Sequence, residues 1–147
     1  MKLNPKVEIK KSPIEGKGLF AKGTFKKGEE VWIAKGIKPA KSKIMTDAEF
    51  KKFTEKCIQE GKEWDAVYLG NGKHRAAIAD RDNDPNNYGN HSCDPNTAPI
   101  DGKRIATRDI EPGEEITIDY GYFSPKSWSM KCNCGSPKCR KIVRGYL

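Results

Sequence analysis

Three thiols fall within eight residues in the string Cys132-Asn-Cys134-Gly-Ser-Pro-Lys-Cys139. Gly135 and Pro137 can turn the chain so that all three face one point, as a tetrahedral ion requires. A fourth ligand is then needed. Cys93 is the candidate, because the fifth cysteine, Cys57, falls on the apolar stripe of a helix read below. Cys93, Cys132, Cys134 and Cys139 therefore read as a four-cysteine zinc site, with thiolates about 2.3 Å from the metal. The competing reading is a tail of unligated thiols. A tail with so few apolar residues gains little from burial and would otherwise stay disordered. His91 competes as a ligand by position, but four cysteines fill the shell, and a lone histidine is more often a hydrogen-bonded structural residue.

The remaining order along the chain is mostly extended. Val7 to Lys10 and part of Glu30 to Ala34 alternate apolar and charged residues, which predicts two strands flanking the turn-rich stretch Ser12 to Gly18. Thr46 followed by Glu49 reads as a capping box, and Phe50, Phe53, Cys57 and Ile58 recur at helical spacing until Gly61, which predicts one amphipathic helix near 47–60. Its stripe makes Cys57 a buried small hydrophobe. Ala66 to Leu69 and Arg75 to Ala79 read as strands joined by Gly70-Asn71-Gly72. Asp80 to Asn96 is dense in Asp, Asn and Pro, a composition that favours turns. Arg104 to Ile110 and Glu115 to Tyr120 read as a further hairpin about Glu111-Pro112-Gly113-Glu114. The fold class is mainly β, a β-rich α+β arrangement.

A chain of 147 residues suits one compact domain. No run of eighteen or more apolar residues occurs, and the start Met-Lys-Leu-Asn-Pro-Lys lacks the apolar segment of a secretory signal. With five cysteines, an odd count that argues against a disulfide framework, the expectation is an intracellular protein, cytoplasmic or chromatin-associated, with secretion into a host left open. The formal charge of +8 favours an acidic partner such as nucleic acid, an anionic membrane or an acidic protein surface. The lysines are spread from Lys2 to Lys141, however, which for any one of them suits a solvated surface.

Four motifs taken together resemble the SET-domain lysine methyltransferases with their cysteine-rich post-SET segment. Glu15-Gly16-Lys17-Gly18-Leu19-Phe20-Ala21 is similar to the family's first cofactor loop, and Asn90-His91-Ser92-Cys93-Asp94-Pro95-Asn96 to its central signature. Glu114 to Gly121 is similar to the strand with the catalytic tyrosine, and Cys132 to Arg140 to the tail. A lone Gly-x-Gly suits a plain turn; the ordered set of four is far more specific, and the resemblance as a whole covers roughly residues 7 to 140. The resemblance implies the SET-domain (β-clip) fold of small sheets with a C-terminal pseudoknot, a SET domain over 1–125 and a zinc-binding post-SET segment over 126–147 of the same globular unit.

The resemblance also implies chemistry: transfer of a methyl group from S-adenosylmethionine, leaving S-adenosylhomocysteine, to a lysine amine of a protein substrate, a histone or chromatin-like protein among the candidates. Tyr120 would be catalytic, orienting rather than acting as general base. Gly16, Lys17, Gly18, Leu19, Asn87, Tyr88, Asn90, His91 and Tyr120 would hold the cofactor. Trp128 is open equally to covering the adenine and to ordinary packing. Ile118 and Tyr122 would line the substrate channel. The chain departs from the family pattern in having Asn87-Tyr88 where Arg-Phe is common, Ala34 where a Tyr often stands, and Ile118 where a Phe or Tyr often influences methyl number. An aliphatic residue at 118 leans toward more than one methyl per lysine. Two rival readings are a zinc-stabilised, non-catalytic nucleic-acid- or partner-binding module and a degenerate SET domain without turnover. The sequence leaves oligomeric state open and indicates no membrane partner.

Overall fold

A computed structural model describes residues 3–33 and 41–147, so the expectation placed on Ala34 lies outside the described residues. In chain order the elements are β1 (Val7–Lys11), β2 (Lys17–Ala21), β3 (Glu30–Ile33), β4 (Lys43–Thr46), α1 (Asp47–Glu60), β5 (Trp64–Gly70), β6 (Lys73–Ile78), β7 (Asn90–His91), β8 (Thr97–Ile100), β9 (Lys103–Ala106), β10 (Glu115–Ile118), β11 (Ser129–Lys131) and β12 (Ile142–Arg144). Single 3₁₀ turns cover Pro85–Tyr88 and Tyr120–Phe123. The strands form small sheets in the orders β1-β2-β10-β7, β3-β9-β8, β4-β6-β5 and β11-β12. This is a mainly β arrangement of small sheets with one helix, as the resemblance implied.

The core lies between the first two of these sheets. Leu19 on β2, Ile116 on β10, and Phe25 and Ile110, which pair in an isolated bridge, are all 0% exposed. Val7, Ala21, Val31 and Ala106 complete the cluster, with Trp32 and Tyr88 packed against it. Each large apolar side chain so buried contributes roughly 1.5–3 kcal/mol relative to exposure.

The helix starts and stops where its sequence signals stand. Thr46 Oγ1 accepts from the Glu49 amide at 3.3 Å, and the Glu49 carboxylate accepts from the Thr46 amide at 2.8 Å. Gly61 ends it with φ of 64°, a left-handed conformation that costs glycine little. Cys57 is buried as expected, but Ile58 is 68% exposed, because only a narrow stripe of α1 meets the β4-β6-β5 sheet. There Phe50 stacks on the buried His74 ring at 4.2 Å, and His74 Nε2 lies 2.7 Å from Asp47 Oδ1.

The Gly70-Asn71-Gly72 hairpin forms as read, between β5 and β6. The hairpin about Glu111 to Glu114 does not. β9 stops at Ala106 and pairs with β3 and β8, whereas β10 pairs with β2 and β7. The turn survives, closed by the Glu114 amide on the Glu111 carbonyl at 3.1 Å, but it carries the chain from one sheet to another, with Ile110 as a buried anchor. β9 instead makes its hairpin with β8 through Asp101-Gly102, both at positive φ as a type I′ turn demands. Tyr120 likewise falls outside its expected strand and opens a 3₁₀ turn.

Among the described residues, Arg104 is a buried cation on β9. Arg104 is 2% exposed, and its Nε and Nη1 have no hydrogen-bond partner among the described residues. Its guanidinium lies 5.7 Å from the Trp32 ring and 5.4 Å from that of Phe123, and burial brings its pKa down to about 10. Cation–π contact offsets only part of the desolvation. Arg104→Met is therefore expected to raise unfolding stability by about 1–2 kcal/mol, read as a higher urea midpoint with an unchanged slope.

The last residues fold back on the Tyr120 turn. The Tyr146 amide donates to the Gly121 carbonyl at 2.9 Å and the Leu147 amide to that of Ser124 at 3.2 Å. Gly145 is required for this approach, since a Cβ there would lie 2.0 Å from the Pro125 oxygen.

Candidate functional site

The site is assembled around β10. On one edge β10 pairs antiparallel with β2, and on the other it pairs in parallel with β7, setting Thr117 beside Asn90 and Ile118 beside His91. The chain then turns, and Asn96 returns to grip the same strand. Its side chain accepts from the Thr117 amide at 2.9 Å and donates to the Glu115 carbonyl at 2.8 Å, while Thr97 Oγ1 donates to the Thr117 carbonyl at 2.6 Å. One strand is thus embraced by the segment 90–97.

Asn90 joins this strand to the loop before β2. Its Nδ2 lies 3.1 Å from the Glu15 carbonyl, 3.1 Å from that of Lys17 and 2.9 Å from Glu115 Oε1. Ser12 Oγ donates to the same carboxylate at 2.8 Å and accepts from the Ile14 amide at 2.9 Å. The loop carrying Gly16 is therefore pinned through buried polar groups. Gly16 has φ of 42° and nothing within 4 Å of where a Cβ would sit. Gly18 is no turn residue. It lies in β2, where a Cβ would meet Glu115 Oε1 at 2.1 Å, so close packing is what demands glycine there. Leu19 commits its side chain to the core, so only its backbone faces outward.

His91 is 3% exposed, and its Nδ1 accepts from the Tyr120 amide at 3.0 Å. That bond places the ring proton on Nε2, which lies 3.4 Å from Cys93 Sγ. Burial lowers the His91 pKa, with Asp119 opposing and Arg140 reinforcing the shift, so the ring is neutral. The Tyr120 hydroxyl donates to the Gly89 carbonyl at 2.9 Å, and its ring is tilted against that of His91 with centroids 5.3 Å apart. Burial pushes the phenol up to about 12. It keeps its proton at neutral pH and serves as an oriented dipole. Ile118 packs beside Gly89, its Cδ1 lying 3.6 Å from where a Gly89 Cβ would stand.

Asp119, 6% exposed, fastens the tail to this centre. Its Oδ1 accepts from the Gly121 amide at 2.9 Å, and its Oδ2 from Tyr146 at 2.6 Å and from Arg140 Nη2 at 3.0 Å. Burial alone would raise its pKa; these partners, led by the Tyr146 hydroxyl, outweigh it and hold the carboxylate below the ordinary range. Tyr122 is 49% exposed and meets Tyr146 edge-on at 5.2 Å.

Beside Arg140 the four cysteines read from the sequence converge, their sulfurs all within 4.8 Å of one another. Cys93 and Cys132 are 3.8 Å apart, the separation of about 3.8 Å that tetrahedral bonds of about 2.3 Å to zinc would require. Thiols this close cannot all ionise unaided. Burial pushes Cys132 up to about 12, while Cys134, despite burial, is brought down to about 6 by bonds that include the Cys93 and Ser136 backbone. A divalent cation supplies the missing charge, so the donor set fits zinc. Cys57 stays apart, in α1.

The remaining expected residues lie further out. Asn87 donates to Asp65 at 3.0 Å, and Arg81 clamps both oxygens of that carboxylate at 2.7 and 2.8 Å. Tyr88 packs on the core, Lys17 is exposed, and Trp128 is half-buried on the tail, its amide on the Pro125 carbonyl at 2.9 Å. Sequence reasoning missed Ser12, Asn96, Glu115, Asp119, Arg140 and Tyr146. Asn96, Glu115, Asp119 and Arg140 stood within quoted motifs; for Tyr146 no local pattern gave a signal.

A family model for the SET domain matches residues 16–121. Among curated proteins, the chain is 32% identical over 144 residues to "Histone-lysine N-methyltransferase TRX1" of Oryza sativa subsp. japonica, covering 90% of this chain and 13% of that protein. It is 29% identical to "Histone-lysine N-methyltransferase 2B" of Homo sapiens over 93% of this chain and 5% of that protein. It is 31% identical to "Variant-silencing SET domain-containing protein" of Plasmodium falciparum (isolate 3D7) over 90% of this chain and 5% of that protein. The chain thus spans 13% or less of the length of these relatives.

Proposed function

The chain belongs to the SET-domain family, and on that premise we propose that it is an S-adenosylmethionine-dependent protein-lysine methyltransferase. The observation that carries the reading is the Tyr120 hydroxyl, fixed on the Gly89 carbonyl beside His91 and Ile118, just past the end of a strand wrapped by the Asn90–Asn96 signature. The relatives' printed names, histone-lysine methyltransferases among them, support a protein substrate such as a histone and a chromatin setting. No helix among the described residues is long and apolar enough to cross a membrane.

When bound, the cofactor supplies an activated methyl group on a sulfonium. The open backbone at Gly16, the outward backbone of Lys17 to Leu19, and Asn90 and His91 would hold it, against a loop that Asn90 Nδ2 keeps in place. Of the other residues assigned to it, Tyr88 would act by supporting Gly89 from the core, and Trp128 by standing on the tail nearby. Asn87 would act indirectly, since its amide is engaged by Asp65.

The acceptor lysine must arrive uncharged, and at neutral pH that costs roughly 4–5 kcal/mol from a pKa near 10.4. A partly apolar channel past Ile118 and Tyr122 lowers this cost by disfavouring the ammonium form. Tyr120 then orients the amine. Its proton points at Gly89, so its oxygen lone pairs face outward and accept from the amine N–H, leaving the nitrogen lone pair free for in-line attack. With Ile118 in place of a hydroxyl-bearing residue, no water is held beside the amine, which favours more than one methyl per lysine. Zinc on Cys93, Cys132, Cys134 and Cys139 would hold the tail as one wall of this channel.

Purified protein incubated with methyl-labelled S-adenosylmethionine is expected to transfer label to lysine in histones or another basic protein, with dimethyl or trimethyl products visible by mass spectrometry. Absence of transfer to any protein of a whole-cell extract, by folded protein that still binds the donor, would establish the degenerate reading instead.

A further inference from the structure

The chain's positive charge is not evenly placed. Residues 1–120 hold 22 basic and 20 acidic residues, whereas residues 121–147 hold six basic and none acidic. Those six, Lys126, Lys131, Lys138, Arg140, Lys141 and Arg144, are all exposed. Lys138 faces Asp94 at 3.8 Å and Arg140 is bound to Asp119, but Lys126, Lys131, Lys141 and Arg144 have no carboxylate partner among the described residues.

The β11–β12 hairpin arranges them. Ser129 lies opposite Arg144, Met130 opposite Val143 and Lys131 opposite Ile142. Val143 is 0% exposed, so the alternation of the strands turns Lys131 and Arg144 together to the solvent face, with Lys141 and Lys126 at its ends. Four thiolates on one divalent ion would remove charge only from the interior of this tail; the outer cations remain.

This surface adjoins the Tyr120 turn, where on the methyltransferase reading a lysine-bearing substrate would enter. A basic substrate alone would be repelled there. We propose that the outer face of the β11–β12 hairpin is a docking surface for the phosphate backbone of duplex nucleic acid, and that the enzyme meets its basic substrate while that substrate is itself bound to the same polyanion. The role in substrate encounter rests on the methyltransferase reading; the binding does not. The face carries Ser129, Lys131, Ile142 and Arg144 and no aromatic side chain, which suits phosphate contact rather than stacking on splayed bases. Four free cations correspond to four neutralised phosphates and a log–log salt slope of about −3 to −4, or roughly a hundredfold weakening between about 50 and 200 mM salt.

The test is fluorescence anisotropy of the zinc-loaded chain with a labelled duplex of about 20 base pairs over that salt range. The expected result is binding with this slope, lost in the Lys131→Glu, Lys141→Glu, Arg144→Glu variant, and weakened with a shallower slope in the milder Lys131→Gln, Arg144→Gln pair, which keeps the test open if charge reversal disturbs folding. Methylation of a short free lysine peptide of zero net charge should be unchanged in the Gln pair, while methylation of a DNA-bound basic protein falls at least about fivefold. Wild-type binding that the substitutions leave intact, or tighter binding to poly-glutamate than to the duplex, overturns the proposal, the second in favour of an acidic protein partner. DNA binding without any peptide methylation would sink the enzyme reading and leave the surface standing.

Discussion

Tyr120→Phe is expected to lower kcat/KM for a lysine peptide by at least about a hundredfold, with donor affinity changed less than about threefold. The substitution removes one oxygen from a ring that otherwise keeps its place against His91. It deletes the acceptor that would orient the amine in the proposed reaction and leaves the Gly89 carbonyl without its partner. The structural share of that loss is about 1–2 kcal/mol of stability, well short of unfolding a domain of this size. Steady-state kinetics with calorimetry of donor binding separates the two. A variant retaining more than half of the wild-type rate would remove Tyr120 from the chemistry. The pH profile sharpens the point. With the phenol pushed up to about 12, rates between about pH 7 and 10 should follow deprotonation of the substrate lysine and not of Tyr120. The sign for stability is equally defined: because the folded value lies above the ordinary one of 10.0, the contribution from Tyr120 is complete below pH 10 and is lost as pH rises toward about 12.

Removing zinc is expected to impair activity before it unfolds the core. Freshly prepared, reduced protein should contain one zinc per chain. A strong chelator, or Cys93→Ser, should release it, expose residues 126–147 to protease, and reduce methyl transfer by at least about tenfold, while a protected fragment up to about residue 120 keeps its strand signal. Apparent binding energies of structural zinc reach about 10–16 kcal/mol in zinc-finger peptides, enough to order a tail that buries few apolar residues. The path from the cysteines to Tyr120 is short. Cys93 Sγ lies 3.4 Å from His91 Nε2, and the opposite nitrogen of that ring holds the Tyr120 amide. On the proposed function, loss of the metal would therefore loosen both the channel wall and the support of the Tyr120 turn. Clearly less than one zinc per chain, by elemental analysis, would refute the four-cysteine site.

What could be read from the sequence was local. Thr46 and Glu49 announce the helix because a capping box is made by residues three apart, and Asn71-Gly72 announces its hairpin because the turn itself needs positive φ. Asp101-Gly102 carried the same signal but went unread beside the more conspicuous Glu-Pro-Gly-Glu turn. The cysteines were legible through spacing, and the partner of the tail through the signature that contains Cys93. The Ser12–Glu115–Asn90 cluster joins residues up to 103 apart in sequence, and the Asp119–Arg140–Tyr146 cluster residues up to 27 apart. No periodicity links them. Arg104 was illegible for another reason: on composition alone a strand arginine is a surface residue. Basic residues run through the whole chain, so the lysines alone mark no patch; it is the acidic ones that stop at Asp119.

The position of β10 between β2 and β7 bears on how the chain acquires its structure. Its pairings tie Leu19 and Phe20 to residues 115 and 116, and Asn90 and His91 to residues 117 and 118. During synthesis, the first hundred residues emerge with the apolar faces of β1 and β2 still waiting for Ile110 and Ile116. Such dominance of distant over local contacts slows folding and leaves unpaired strand edges exposed meanwhile. Expression at low temperature, or with chaperones that shield nascent strands, should therefore improve the yield of native protein more than any change to α1, whose order is settled locally.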